Sequence, residues 1–275
     1  MAPDATKNYR RNKKNHCAVF AVSETGPARD HNEDSIAFSY PENDKQNLLA
    51  IVADGMGGHN AGEVASEMAC NLLLNYCLEN WKQHPPQLLL QKAFLNAHQK
   101  IVEAGKSNEA QKGMGTTASM VLIKQNVCYI GHIGDSRVYL LRNGMLAQLS
   151  TDHTLVNQMF EGGEITESEL ENHPMKNVLL QALGTTPTIQ PQVPSQGWEI
   201  QEDDRLFLCS DGVYDALHAE DIKNLLLMQN PKFVLECLST IATARNVSDN
   251  FSALLIDFSA VETSKPAITK EQNIL

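Results

Sequence analysis

Acidic residues in this chain recur at the ends of short apolar runs, where β-strands would deliver them to a common rim. Asp54 follows the run Leu48–Ala53 and opens Asp54-Gly55-Met56-Gly57-Gly58-His59, and Asp211 follows Leu206–Cys209 and opens Asp211-Gly212. Asp135 sits in Gly134-Asp135-Ser136-Arg137 between two β-like runs. Asp249, in Ser248-Asp249-Asn250, precedes the last such run, and Glu33 and Asp34 follow the first. Singly, each is explained by a turn or a solvated strand end. Gathered without a counter-charge, they would repel one another and their pKa values would rise. Hard divalent cations remove that penalty, because Mg²⁺ and Mn²⁺ prefer carboxylate, carbonyl and water oxygens. Glycine beside an acid also lets a backbone carbonyl approach an ion closely. The Cys/His spacing of a zinc site is missing, which favours an oxygen-ligand site.

The elements that must position these acids are legible from pattern. Strands are expected at Cys17–Ser23, Leu48–Ala53, Thr117–Ile123, Val127–Ile133, Arg137–Leu141, Arg205–Cys209 and Ala253–Phe258. Asn143-Gly144 signals a type I′ hairpin into Met145–Leu149, and short turns of this kind imply antiparallel pairing. Helical spacing of apolar residues marks Ala61–Trp81 and Leu88–Ala104, with Asn60 and Pro86 as start signals. A second helical pair is expected at Asp221–Met228 and Pro231–Arg245, with Asp221 as a cap and Pro231 in a first turn. Strict βαβ alternation is absent, so antiparallel sheets with helices on their outer faces fit better than a doubly wound sheet. The long polar stretch from Asp152 to about Gly197, with a short helix near Glu167–Glu171, reads as a functional insertion.

Bulk properties narrow the function. The 275 residues carry a formal charge of −11 and a pI of about 5.3, which disfavours nucleic acid as a partner. The exception is the start of the chain, where Lys7, Arg10, Arg11, Lys13 and Lys14 oppose only Asp4; a solvated tail is the expectation. The six cysteines form no CxxC pair, and Cys17, Cys128 and Cys209 lie in apolar runs, as buried free thiols do. That fits a reducing, cytoplasmic setting. The longest apolar runs fall far short of the roughly twenty residues of a membrane helix, so no membrane insertion is expected.

Over about residues 17–258 the sequence resembles the metal-dependent, type-2C protein serine/threonine phosphatases, particularly compact bacterial members. The shared pattern comprises Arg29-x-x-Asn32-Glu33-Asp34-Ser35, Asp54-Gly55-Met56-Gly57-Gly58-His59, Gly115-Thr116-Thr117, Gly134-Asp135-Ser136-Arg137, Asp152-His153, His173-Pro174, Ala182-Leu183-Gly184, Ser210-Asp211-Gly212 and Asp249-Asn250. Each segment alone is weak; their order and spacing together are specific.

The resemblance implies an α+β fold: a four-layer αββα sandwich of two antiparallel sheets flanked by helical pairs. It implies a catalytic domain over residues 17–260 with a flap at about 152–184, between a basic tail at 1–16 and a second tail at 261–275. It further implies two or three Mn²⁺ or Mg²⁺ ions, with Asp54 bridging two of them and the Gly55 carbonyl on one. Asp211 and Asp249 would serve the other, Glu33 and Asp34 would hold metal-bound waters, and Asp135 with Asp211 would support a third ion. Arg29 would grip the substrate phosphate, a task suited to its planar fork of donors; its place four residues before Glu33 argues against a plain surface ion pair. A hydroxide bridging two metals would attack phosphoserine or phosphothreonine in proteins phosphorylated by a cognate Ser/Thr kinase.

The sequence departs from the family in places. Met56 stands where eukaryotic relatives carry a histidine that protonates the leaving group, so a metal-bound water or another side chain must serve. His59 and His153 are read as structural histidines and His132 as an ordinary strand residue. Lys176 and Gln181 stand where the family has flap arginines. The flap acids Glu161, Glu164, Glu167, Glu169 and Glu171 fit either a solvated face or a preference for basic substrate segments. Among rivals, no cysteine has an arginine six residues on and the P-loop pattern is absent. A metal-dependent nuclease is disfavoured by charge. A non-catalytic phosphoprotein-binding regulator on the same fold remains the alternative, opposed by the retention of every metal-site acid.

Overall fold

A computed structural model describes residues 17–43, 46–57, 61–170 and 172–258. The expected tails, together with Gly58, His59, the start signal Asn60 and the flap acid Glu171, lie outside the described residues. The strands are β1 (Ala18–Glu24), β2 (Asp34–Ser39), β3 (Leu48–Met56), β4 (Gly115–Thr116), β5 (Ala118–Lys124), β6 (Val127–Ile133), β7 (Arg137–Arg142), β8 (Met145–Gln148), β9 (Trp198–Glu199), β10 (Arg205–Cys209) and β11 (Phe251–Asp257). The helices are α1 (Ala61–Asn80), α2 (Pro86–Ser107), α3 (Leu155–Glu161), α4 (Glu167–Leu170), α5 (Asp211–Ala216), α6 (Ala219–Leu226) and α7 (Pro231–Ala244).

Two antiparallel sheets form, the first in the order β2-β3-β5-β6-β9 with β4 added to β3 and the second in the order β1-β11-β10-β7-β8. Alternation along the strands builds the layers. Leu49, Ile51 and Ala53 of β3 pack with Met120 and Leu122 of β5 against α1 and α2. Leu48, Ala50 and Val52 point the other way, onto Leu206, Leu208, Leu254 and Ile256 of the second sheet. The second sheet's outer face, including Phe207, Phe251 and Leu255, is covered by α5, α6 and α7. The result is the expected helix–sheet–sheet–helix arrangement, and the central strands are apolar on both faces because both are covered.

Local chemistry accounts for the boundaries. Asn143 and Gly144 have φ of 51° and 74°, as a type I′ turn requires. Pro86 opens α2, and Pro231 opens α7 behind Asn230, whose side chain accepts from the Lys232 and Phe233 amides. Asp221 is not a cap. The helix begins at Ala219 after His218, and Asp221 sits in the first turn, where its charge suits the helix N-terminus and pairs with Arg245 at 2.7 Å. Five elements escape pattern reading: β2, β4, β9, α3 and α5. β2 is an edge strand in which Ser35, Ala37 and Ser39 dilute the β-forming Ile36 and Phe38. α5 is too short to show helical periodicity, and its opening Asp211-Gly212 reads as a turn.

Candidate active site

The register of β2 on β3 makes Asp34 and Asp54 direct partners at the same end of the first sheet. β3 continues past its apolar run because the Asp54 backbone is held on both sides. Its amide donates to Thr117 Oγ1 at 3.0 Å, and its carbonyl accepts from Thr116 Oγ1 at 2.8 Å and the Thr117 amide at 2.9 Å. Gly55 is required by a close approach: a Cβ there would lie 2.1 Å from the Gly62 carbonyl oxygen and 2.6 Å from that of Glu33.

The second sheet brings Asp211 and Asp249 to the same end. Ser210 follows β10 and precedes α5; its hydroxyl donates to Asp34 Oδ2 at 2.7 Å and accepts from the Ser252 amide at 2.9 Å. Asn250, 3% exposed, holds the loop that crosses from β1 to β2. Its Oδ1 accepts from the Glu33 amide at 2.8 Å, and its Nδ2 donates to the carbonyls of Thr25 at 2.6 Å and His31 at 2.8 Å. Asp135 lies on the opposite crossing, between β6 and β7, flanked by Ser136, whose hydroxyl meets Thr117 Oγ1 at 2.6 Å.

These residues line one cleft of about 820 Å³ that includes Arg29, Glu33, Asp54, Gly55, Asp135, Asp211 and Asp249. Asp34 lies behind its wall, 8% exposed. Burial raises the pKa of each interior carboxyl, and neighbouring carboxylates add to the rise. Asp54 and Asp135 are pushed well above the usual range, with Asp211 the main charge acting on both. Asp34 is raised to about 7 and Asp211 to about 6, each by burial first. Glu33, more open, is also raised by burial. Asp54 and Asp211 share a hydrogen bond, while Asp211 Oδ1 is a buried acceptor with no partner among the described residues.

An unpartnered buried carboxylate oxygen among carboxyls driven upward is what an all-oxygen cation site looks like without its charge. Among the described residues no three His, Cys, Asp or Glu side chains close into a complete cage. The donor set fits a hard divalent ion.

Arg29 corrects the sequence reading, which set the ion pair aside. Its Nη2 lies 2.7 Å from Asp249 Oδ2 and its Nε donates to the Ser248 carbonyl at 3.2 Å. Both side chains are partly exposed, so the pair is weak and exchangeable. Met56 lines the cleft, as do Asp30, His31, Asn177 and Leu179, to which the sequence assigns no role. Ser210, Asn250 and Gly62 are further organisers; Gly62 lets Glu33 Oε1 approach to 2.8 Å of where a Cβ would sit. Ser210 and Asn250 stand in the shared pattern beside the acids, but nothing local in the sequence assigns them a part. In the 152–184 segment, Lys176 pairs with Asp215 at 2.7 Å and Gln181 accepts from the Gln190 amide at 2.7 Å. His132 is more than an ordinary strand residue: it is fully buried, its Nδ1 is 2.8 Å from Ser119 Oγ, and burial lowers its pKa to about 3.

Comparison with known proteins agrees with this arrangement. The family description "Protein phosphatase 2C" matches residues 28–250. The chain is 35% identical over 255 residues to the serine/threonine phosphatase stp of Listeria innocua, covering 89% of this chain and 97% of that protein. The crystal structure of the Mycobacterium tuberculosis serine/threonine phosphatase PstP/Ppp superposes with a TM-score of 0.80 at 31% identity, covering 89% of this chain and 99% of the other. A PstP catalytic domain in complex with two manganese ions gives 0.75 at 30% identity, covering 88% and 97%. With the acids of both sheets meeting in one cleft and the family pattern spanning most of its length, the chain belongs to the protein phosphatase 2C family.

Proposed function

We propose that this protein is a metal-dependent protein serine/threonine phosphatase that hydrolyses phosphoserine and phosphothreonine in substrates of a cognate Ser/Thr kinase. The observation that carries the reading is Asp211: a buried carboxylate just past β10, hydrogen-bonded to Asp54 of the first sheet, with Oδ1 unpartnered among the described residues at the cleft. The names of the relatives and the manganese of the PstP structure support it.

Asp54, the Gly55 carbonyl, Asp211 and Asp249 would hold two divalent ions, and Asp135 with Asp211 a third. Bound there, Mn²⁺ or Mg²⁺ supplies Lewis acidity that brings the pKa of water from about 15.7 towards neutrality and offsets phosphoryl charge. Glu33, clamped through its backbone by Asn250, would hold metal-bound water at the cleft, and Asp34, clamped by Ser210 behind its wall, would do so from the interior. Arg29 turns from Asp249 to the phosphate when a substrate enters, because a bidentate guanidinium–phosphate pair outcompetes an exposed carboxylate contact. Met56 carries no transferable proton, so the departing alkoxide takes its proton from water.

Among the described residues no helix is long and apolar enough to cross a membrane. The purified protein is expected to hydrolyse p-nitrophenyl phosphate and phosphothreonine peptides with Mn²⁺ and to stop with EDTA. A folded protein inactive on both, yet retaining phosphoprotein affinity, would establish the binding regulator instead.

A further inference from the structure

His153 makes contacts that the phosphatase reading does not use. Its Nδ1 accepts from the Gly134 amide at 3.1 Å, and its own amide donates to the Gly134 carbonyl at 2.8 Å. Both polar groups of the residue before Asp135 are thereby held by one residue. The ring also stacks on His132, with centroids 5.0 Å apart and planes at 24°. His132 in turn reaches Ser119, whose hydroxyl donates to the carbonyl of Ser136, the residue after Asp135.

Gly134 needs this grip. Its φ is +100°, and a Cβ there would lie 2.6 Å from the Thr117 side chain. That backbone conformation sets the direction of Asp135, whose carboxyl is the only polar part of its side chain. Burial lowers the His153 pKa, which keeps Nδ1 free as an acceptor. The same residue's carbonyl accepts from the Leu180 amide at 2.8 Å, at the base of the 152–184 segment, and Leu179 there lines the cleft.

We infer that His153 is a positioning residue that fixes the Asp135 carboxylate for its cation and fastens that carboxylate to the base of the 152–184 segment. The inference rests on the proposed metal site. Residues behind a metal ligand change metal affinity by about 10–100-fold when lost. The amide oxygen of asparagine reproduces an Nδ1 acceptor, whereas glutamine presents its amide one bond farther out.

The test is calorimetric Mn²⁺ titration of wild type, H153N, H153Q, D135N and D135N/H153Q, with urea unfolding of each. Expected is about a tenfold weaker Mn²⁺ affinity for H153Q at the site that D135N removes. H153N should stay within about threefold of wild type, and H153Q should have no further effect in the D135N background. Equal affinities in H153N and H153Q, or a loss of affinity in H153Q that persists without Asp135, overturn the inference. Should H153Q not fold, H153A takes its place beside H153N: about tenfold weaker Mn²⁺ binding in H153A alone supports the role, and equal affinities overturn it. A wild type that takes up no Mn²⁺ strikes the metal site itself, whereas a wild type that binds while the variants disagree with expectation strikes only His153.

Discussion

Asp34 and Asp54 face each other across neighbouring strands, and Ser210 from the other sheet donates to Asp34 at 2.7 Å. Like charges directly opposite in a sheet are destabilising. Without cations the protein therefore keeps protons on these groups that the unfolded chain would release.

The sign follows from that. Asp34 and Asp211 have folded pKa values raised to about 7 and about 6, against about 3.9 in an unfolded chain. Between those values the native state binds more protons than the unfolded one, so stability falls as pH rises. The melting temperature of EDTA-treated protein should drop as pH goes from about 5 to about 7.5, and saturating Mn²⁺ should flatten the profile. A metal-free profile that rises across that range contradicts the carboxyl cluster.

Asp211→Ala and Arg29→Ala should separate metal from substrate. D211A is expected to lose Mn²⁺ binding by calorimetry and activity together. R29A removes a partner from Asp249, so Mn²⁺ affinity should hold or tighten while KM for phosphopeptide rises about tenfold. A weakened Mn²⁺ affinity in R29A would assign the arginine to the metal site instead.

Asn250→Ala leaves the Glu33 amide and two carbonyls of the 25–33 crossing without their partner. Each of these part-buried hydrogen bonds contributes about 0.5–1.5 kcal/mol, so the three give roughly 1.5–4.5 kcal/mol, to be read from urea midpoints at unchanged m. A change below about 0.5 kcal/mol would show the loop is held by other means.

The Lys176–Asp215 pair ties the 152–184 segment to α5, one turn beyond Asp211. Both side chains are about a third exposed, and such pairs contribute about 0–1 kcal/mol. K176A should thus barely change stability. Its activity on p-nitrophenyl phosphate should stay within about twofold while the ratio of phosphoprotein to small-substrate turnover shifts. An unchanged ratio removes the segment from substrate selection.

Much of this was visible in residue order. The apolar runs that became β3, β6, β10 and β11 showed themselves because both faces are covered and almost every position is apolar. The acids were found because Asp54 and Asp211 end such runs and Asp135 and Asp249 stand beside them. β2 was hidden because an edge strand needs less apolar surface, and α5 because so short a helix has no period to detect. The work of Ser210 and Asn250 depends on contacts between chain positions about 176 and 217 apart, which local pattern does not encode. The Arg29–Asp249 pair was misjudged for the same reason: the partner lies 220 positions away.

Among the chain's passages between its sheets, those at 25–33 and at 134–136 carry acids and a cation of the cleft: Arg29 and Glu33 on one, Asp135 on the other. Any sliding of one layer over its neighbour would pull those side chains out of alignment before the layers came apart. Such an enzyme has little room for a half-folded yet working state, and its activity doubles as a gauge of whether the whole sandwich is in register.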